Sequence, residues 1–166
     1  YYQFRSVFFS TGVFKYLACI ILYVLVTTSR KPSQNTRTTA RFLARLIDAK
    51  YFSRGKASFD VLVSEAEKSG FKRVLVVGED HGNVGSLSFW QDGWIEPEVK
   101  VKSVFLGTQN RVARVSKVDS PDEFGVKLKE LFALDEREGG TTRMVLNRES
   151  VIFFEAGKKV LEFKLR

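Results

Sequence analysis

IILYVLVTTSRKPSQNTRTTARFLARLIDA, residues 20–49, joins three segments of different character. Ile20 to Thr28 is continuously apolar or hydroxyl-bearing, as a strand buried on both faces is. Ser29 to Asn35 is a polar loop. Its Pro32 disfavours helix at Lys31, and Ser33 or Asn35 is placed to cap a helix that follows. From about Thr36 to Ala49, helical spacing gathers Phe42, Leu43, Leu46 and Ile47 on one face. The same spacing sets Arg37, Arg41 and Arg45 one turn apart on the other. A strand, a hydroxyl-rich basic loop and an amphipathic helix are the opening of an α/β unit.

Downstream, Tyr51 to Arg54 is a short extended link. Ser58 caps a second helix, with Phe59, Leu62, Val63 and Ala66 sharing a face and Gly70 marking the end. Lys72 to Val77 is a buried strand, and a Gly78 to Asn83 turn closes the first half. Further strands are expected at Val84 to Trp90, at Val99 to Leu106, where Val and Lys alternate, and at Arg111 to Val118. Ser120-Pro121-Asp122-Glu123 combines a capping box with proline at the first helical position, so a third helix should start there with Phe124, Leu128, Leu131 and Phe132 inward. Thr142 to Leu146, Val151 to Glu155 and Val160 to Leu165 form an antiparallel meander. Strands and a helix occur in both halves, about 21–95 and 96–166, without enough self-similarity to define a sequence repeat.

Upstream, residues 1–20 form a separate hydrophobic segment to which no role is assigned. Arg5 and Lys15 interrupt it. The apolar part of the uncharged run Tyr16 to Ser29 is shorter than the ~20 residues of a membrane span, and no small-residue cleavage site follows it. No membrane association is expected.

With Cys19 the sole cysteine and His81 the sole histidine, neither a disulfide within the chain, nor a cysteine-based zinc site, nor a multi-histidine metal centre can form. A reducing, intracellular setting fits this usage. The net charge is +8, and its location is informative: residues 28–56 carry eight basic side chains against Asp48 alone. Solvated helix faces usually mix both signs, whereas this one holds no acid before Asp48. The loop offers backbone N–H groups and hydroxyls near a helix N-terminus, flanked by cations, and these are the groups that hold phosphate oxygens. Arginine can bond phosphate bidentately and stack on unpaired bases. Ser29, Arg30, Lys31, Ser33, Gln34, Arg37, Arg41, Arg45, Arg54 and Lys56 are therefore the candidate RNA-binding residues. Glu79-Asp80-His81 reads as an ordinary turn rather than a catalytic group. Trp90 and Trp94 read as core in the main, with base stacking the alternative. No phosphate-binding glycine loop of the nucleotide hydrolases occurs, and no catalytic residue, metal or cofactor is expected.

The run Leu25-Val26-Thr27-Thr28-Ser29-Arg30-Lys31-Pro32-Ser33, then Thr36-Arg37, Ala40-Arg41-Phe42-Leu43-Ala44 and Ser53-Arg54-Gly55-Lys56, resembles the opening signature of the Brix domain. The likeness extends over the Phe71 to Gly78 strand and, more loosely, through the closing meander to Phe163 and Leu165, so that residues 21–166 correspond to the domain. It departs in the Tyr1 to Ala18 segment and at Phe153-Phe154-Glu155, where many relatives carry a basic residue after the aromatic. The resemblance implies two related α/β halves packed together, with mixed and antiparallel sheets, similar to anticodon-binding domains of aminoacyl-tRNA synthetases. It also implies a role in ribosome biogenesis, with precursor ribosomal RNA, other assembly proteins or small guide RNAs as partners, and the small-subunit processing branch is the most similar. With little chain beyond the domain, an archaeal, cytoplasmic member is expected; a eukaryotic one would be nucleolar. The alternatives are a protein-binding scaffold in ribosome assembly and an RNA-processing nuclease, which would need carboxylates beside the basic surface.

Overall fold

The computed structural model describes residues 24–109, 111–134 and 136–166. The segment 1–20 and the first residues of the expected Ile20 to Thr28 strand lie outside them. The order of elements is β1 (Val24–Thr28), α1 (Gln34–Leu46), β2 (Lys50–Tyr51), α2 (Phe59–Lys68), β3 (Arg73–Asp80), β4 (Asn83–Trp90), β5 (Trp94–Leu106), β6 (Val115–Asp119), α3 (Glu123–Phe132), β7 (Thr142–Leu146), β8 (Ser150–Glu155) and β9 (Lys158–Leu165). All nine strands join one mixed sheet in the order β2-β1-β3-β4-β5-β9-β8-β7-β6.

The halves repeat one path. β1 runs parallel to β3 across a helical crossover, and β4 and β5 follow antiparallel. β6 runs parallel to β7 across α3, and β8 and β9 follow antiparallel. The terminal strand of each unit then pairs antiparallel with the other, Val101 opposite Leu165 and Leu106 opposite Leu161. β5 spans both: its first residues pair with β4, its last with β9. A boundary at 95/96 thus falls at the start of a strand that the halves share.

Alternation along β1 and β3 separates two apolar clusters, because successive side chains of a strand leave opposite faces. Val24, Val26, Leu75 and Val77 join the larger cluster with residues of α1 and α3, while Leu25, Val74 and Val76 pack with Leu62 and Ala66 of α2. Helices α1 and α3 therefore share one face of the sheet, and α2 covers part of the other. Two side chains tie α3 to the first half. Phe132 meets Phe89 edge-on with ring centroids 5.2 Å apart. Buried Arg73 donates to the carbonyls of Glu130 and Leu131 at 2.6 and 2.8 Å, and to Gln91.

Several boundaries depart from the sequence-based expectation. Helix α1 starts two residues early, because Ser33 rather than Asn35 is the cap, and stops at Leu46. The link after it contributes a two-residue strand against β1. The Gly78 to Asn83 turn is in fact the end of a hairpin whose pairing continues to Asp80–Asn83, leaving only His81 and Gly82 unpaired. Helix α3 is capped by Asp122, whose carboxylate accepts from the Gly125 N–H at 2.6 Å, so the capping box at Ser120 and the proline at the first position are not used.

Candidate nucleic-acid interface

Strand β1 ends at Thr28, and the chain turns through the loop 29–33, where Lys31 takes a left-handed backbone (φ 50°). The parallel crossover places this loop at the carboxyl end of β1, the usual location of ligand sites in open α/β sheets. A cleft of about 340 Å³ opens there. Lys31, Arg37 and Lys56 border it together with Thr28, Pro32, Ser53 and Gly55, and no acidic side chain does. The three cations come from the loop, from α1 and from the link before α2, and all are exposed.

Two further arginines fix the rim. Arg30 Nη2 donates to the Lys56 carbonyl at 3.3 Å, and Arg54 Nε donates to the Ala57 carbonyl at 3.0 Å. Burial, reinforced by neighbouring Arg30, lowers the Arg54 pKa from its ordinary value, though a guanidinium remains charged at any physiological pH. Its carbon lies 5.8 Å from the centroid of the Phe59 ring.

The arginine stripe of α1 divides. Arg41 and Arg45 leave the first cleft to Arg37 and line a second one, about 260 Å³, against Leu106 at the end of β5 and Gly107, Thr108 and Gln109 of the segment after it. Arg41 also lies over the Tyr51 ring at 5.3 Å. Just past α1, Asp48, the one acid of the basic segment, pairs with Arg114 of the other half at 2.5 Å.

The N-terminus of α1 does not face the cleft as an open anion site. The Ser33 N–H donates to Glu79 Oε2 at 2.5 Å, the Ser33 hydroxyl accepts from the Thr36 N–H at 3.2 Å, and it reaches the Gly82 carbonyl at 2.9 Å. Register shifts between Gly78 and Glu79, and such irregularities re-aim side chains. The backbone and hydroxyl bonds from Ser33 hold the Glu79 carboxyl below the usual carboxylate value. Ser33 was expected to offer both groups to phosphate, but it spends them on Glu79 and on its own helix. Ser29 donates its N–H to the Val77 carbonyl, and its hydroxyl is buried with no partner among the described residues. Gln34 is exposed at the first turn.

Glu79, Asp80 and His81 do not converge: Glu79 caps α1, whereas Asp80 faces His81 and Arg166. Among the described residues no group of three or more His, Cys, Asp or Glu side chains is placed to hold a metal ion, and no helix is long and apolar enough to cross a membrane.

A scan against models of known protein families matched none. Comparison with curated proteins finds a probable Brix domain-containing ribosomal biogenesis protein of Methanosarcina barkeri, 29% identical over 156 residues, covering 86% of this chain and 97% of that relative. Proteins of the same description from Archaeoglobus fulgidus and Methanococcoides burtonii are 35% identical over 100 residues and 41% over 73, covering 58% and 45% of their lengths. Among solved structures, the archaeal Imp4-like protein Mil superposes with a TM-score of 0.70 at 25% identity, covering 87% of this chain and 97% of that one. A probable ribosomal biogenesis protein from Aeropyrum pernix superposes with 0.65 at 27%, covering 86% and 94%. The signature at residues 25–56, the doubled β-α-β-β-β path and a relative matched over nearly its whole length agree: the chain is similar to archaeal Brix domain-containing ribosomal biogenesis proteins over most of its length.

Proposed function

We propose that the protein is a non-catalytic ribosome biogenesis factor that binds precursor ribosomal RNA through the surface of loop 29–33, helix α1 and the link 52–57. The observation that carries this reading is the convergence of Lys31, Arg37 and Lys56 on a cleft bordered by no acid. Cations drawn from three separate elements toward one hollow match a phosphate backbone better than a solvated helix face does. Arg41 and Arg45, lining the neighbouring cleft on the same helix, extend the track toward the second half. The chain's likeness to archaeal ribosomal biogenesis proteins supports the biological setting, and an archaeal member would work in the cytoplasm with other assembly proteins or guide RNAs.

The test is the affinity for precursor ribosomal RNA across a salt series, for the native chain and for R37E/K56E and R41E/R45E. Each neutralised phosphate contributes ~0.7 to the slope of log affinity against log salt on single strands, so each double variant should flatten the slope by about 1.4. Native slopes in both variants would reject the surface. The RNA should also emerge intact; cleavage that disappears in EDTA would reject the non-catalytic reading.

A further inference from the structure

Beside the basic cleft lies an aromatic surface that the phosphate track does not use. Trp94 opens β5 and is 56% exposed, an unusual state for the largest side chain in a chain otherwise well packed. It is held flat all the same. Its ring stacks on Phe59 with centroids 4.7 Å apart and planes 26° from parallel. Phe59 is in turn braced edge-on by Trp90, centroids 6.0 Å apart at 75°. Arg54 rests over the Phe59 ring, and Arg30 joins the Lys56 carbonyl. Cleft and aromatics thus share one short piece of chain: Lys56 borders the cleft and Phe59 is three residues on, at most ~11 Å of extended backbone.

We propose that Trp94, backed by Phe59 and Trp90, is a stacking platform for an unpaired nucleobase of the RNA strand whose phosphates lie against Lys56 and Arg54. This rests on the RNA-binding reading and adds a base-contacting subsite to it. A buried tryptophan would serve the core; an exposed one whose ring is fixed by a second ring is already oriented, so little rotamer freedom is lost when a base covers it. Charge selects the occupant. An apolar protein partner would be met at the rim by Arg54, Arg30 and Lys56, whereas a nucleotide presents a π-face and an anion to ring and cations together. Asp60 follows Phe59 and Asp92 lies two residues before Trp94, both exposed, so phosphates are expected at the Lys56 end and the base at the ring. Stacking of this kind is tolerant of base identity.

Trp90 and Trp94 are the two tryptophans of the chain, so W90F leaves Trp94 as the sole indole reporter. Titrating W90F with a single-stranded oligouridylate should quench its emission, and an abasic oligonucleotide of equal length should bind without quenching. W94A should weaken oligouridylate binding roughly 5- to 100-fold with an unchanged salt slope, W94F should retain most of the affinity, and K56E should flatten the slope. If the oligonucleotide binds by anisotropy while Trp94 emission and W94A affinity stay at native values, the platform is rejected, the basic cleft stands, and the ring belongs to a protein partner. If the native chain binds no RNA, both readings fall.

Discussion

Glu79 decides how the basic surface is organised at the level of single residues. A helix N-terminus beside three cations would attract any anion, and here the protein supplies its own. Its carboxyl is held below the ordinary value of 4.5, chiefly by the Ser33 N–H. A group whose folded pKa is depressed contributes stability that is fully present above its unfolded pKa and is lost as pH falls through the folded one. E79Q should therefore melt at a lower temperature than the native chain near neutral pH, with the two curves converging below the carboxylate range; melting curves offset equally at every pH would contradict the role of the charge. The same substitution removes a negative charge that acts on Arg37 of the cleft and so should strengthen RNA binding, where a purely structural cap would leave the affinity unchanged.

Elements are where the sequence was most legible, and the reasons it misled are local. Both sides of β1 are covered, so its unbroken apolar run announced it, and α1 showed its two faces because core and solvent sort side chains at helical spacing. The caps were harder to place. Ser120-Pro121 and Asp122-Glu123 each resemble a start, and what selects Asp122 is a contact across the chain, its second carboxylate oxygen accepting from the Arg148 N–H of the β7–β8 turn at 2.9 Å. From sequence Glu79 reads as turn, because its partner, Ser33, is distant along the chain and near only through the parallel pairing of β1 with β3. The split of the arginine stripe was hidden likewise, since helical spacing groups Arg37, Arg41 and Arg45 but cannot tell which neighbours each will face. Gly125 shows the same dependence on tertiary contact. Inside a helix alanine is ordinarily favoured over glycine, yet a Cβ at 125 would lie 2.1 Å from the Leu146 carbonyl oxygen. G125A should therefore push α3 off β7 and cost about 3 kcal/mol, read as a lower denaturant midpoint; a stabilised variant would show that the helix can slide.

Across the whole molecule, two units that repeat one path behave as one body, because what joins them is core and not linker. β5 is paired with β4 at its start and with β9 at its end, residues of both halves share the larger apolar cluster, and Arg73 of β3 satisfies the final carbonyls of α3 from the far side of the junction. Asp48 and Arg114 add a surface tie beyond α1, exposed enough to contribute little. If the halves were independent, the tryptophans would betray it, since Trp90 and Trp94 both lie in the first half while far-ultraviolet circular dichroism reports strands and helices of both. Denaturant unfolding followed by the two signals should give coincident transitions, as two-state behaviour requires. R73A removes hydrogen bonds from a charged donor to two helix-end carbonyls and should lower stability by about 3 kcal/mol while the transitions stay superimposed. Separation of the signals in the native chain would mean that the shared sheet is a seam between two domains. Separation only in R73A would mean that this one guanidinium is the principal clasp between them, and that the proposed RNA track from Lys31 to Arg45, which runs from the first half toward the second, depends on it for its shape.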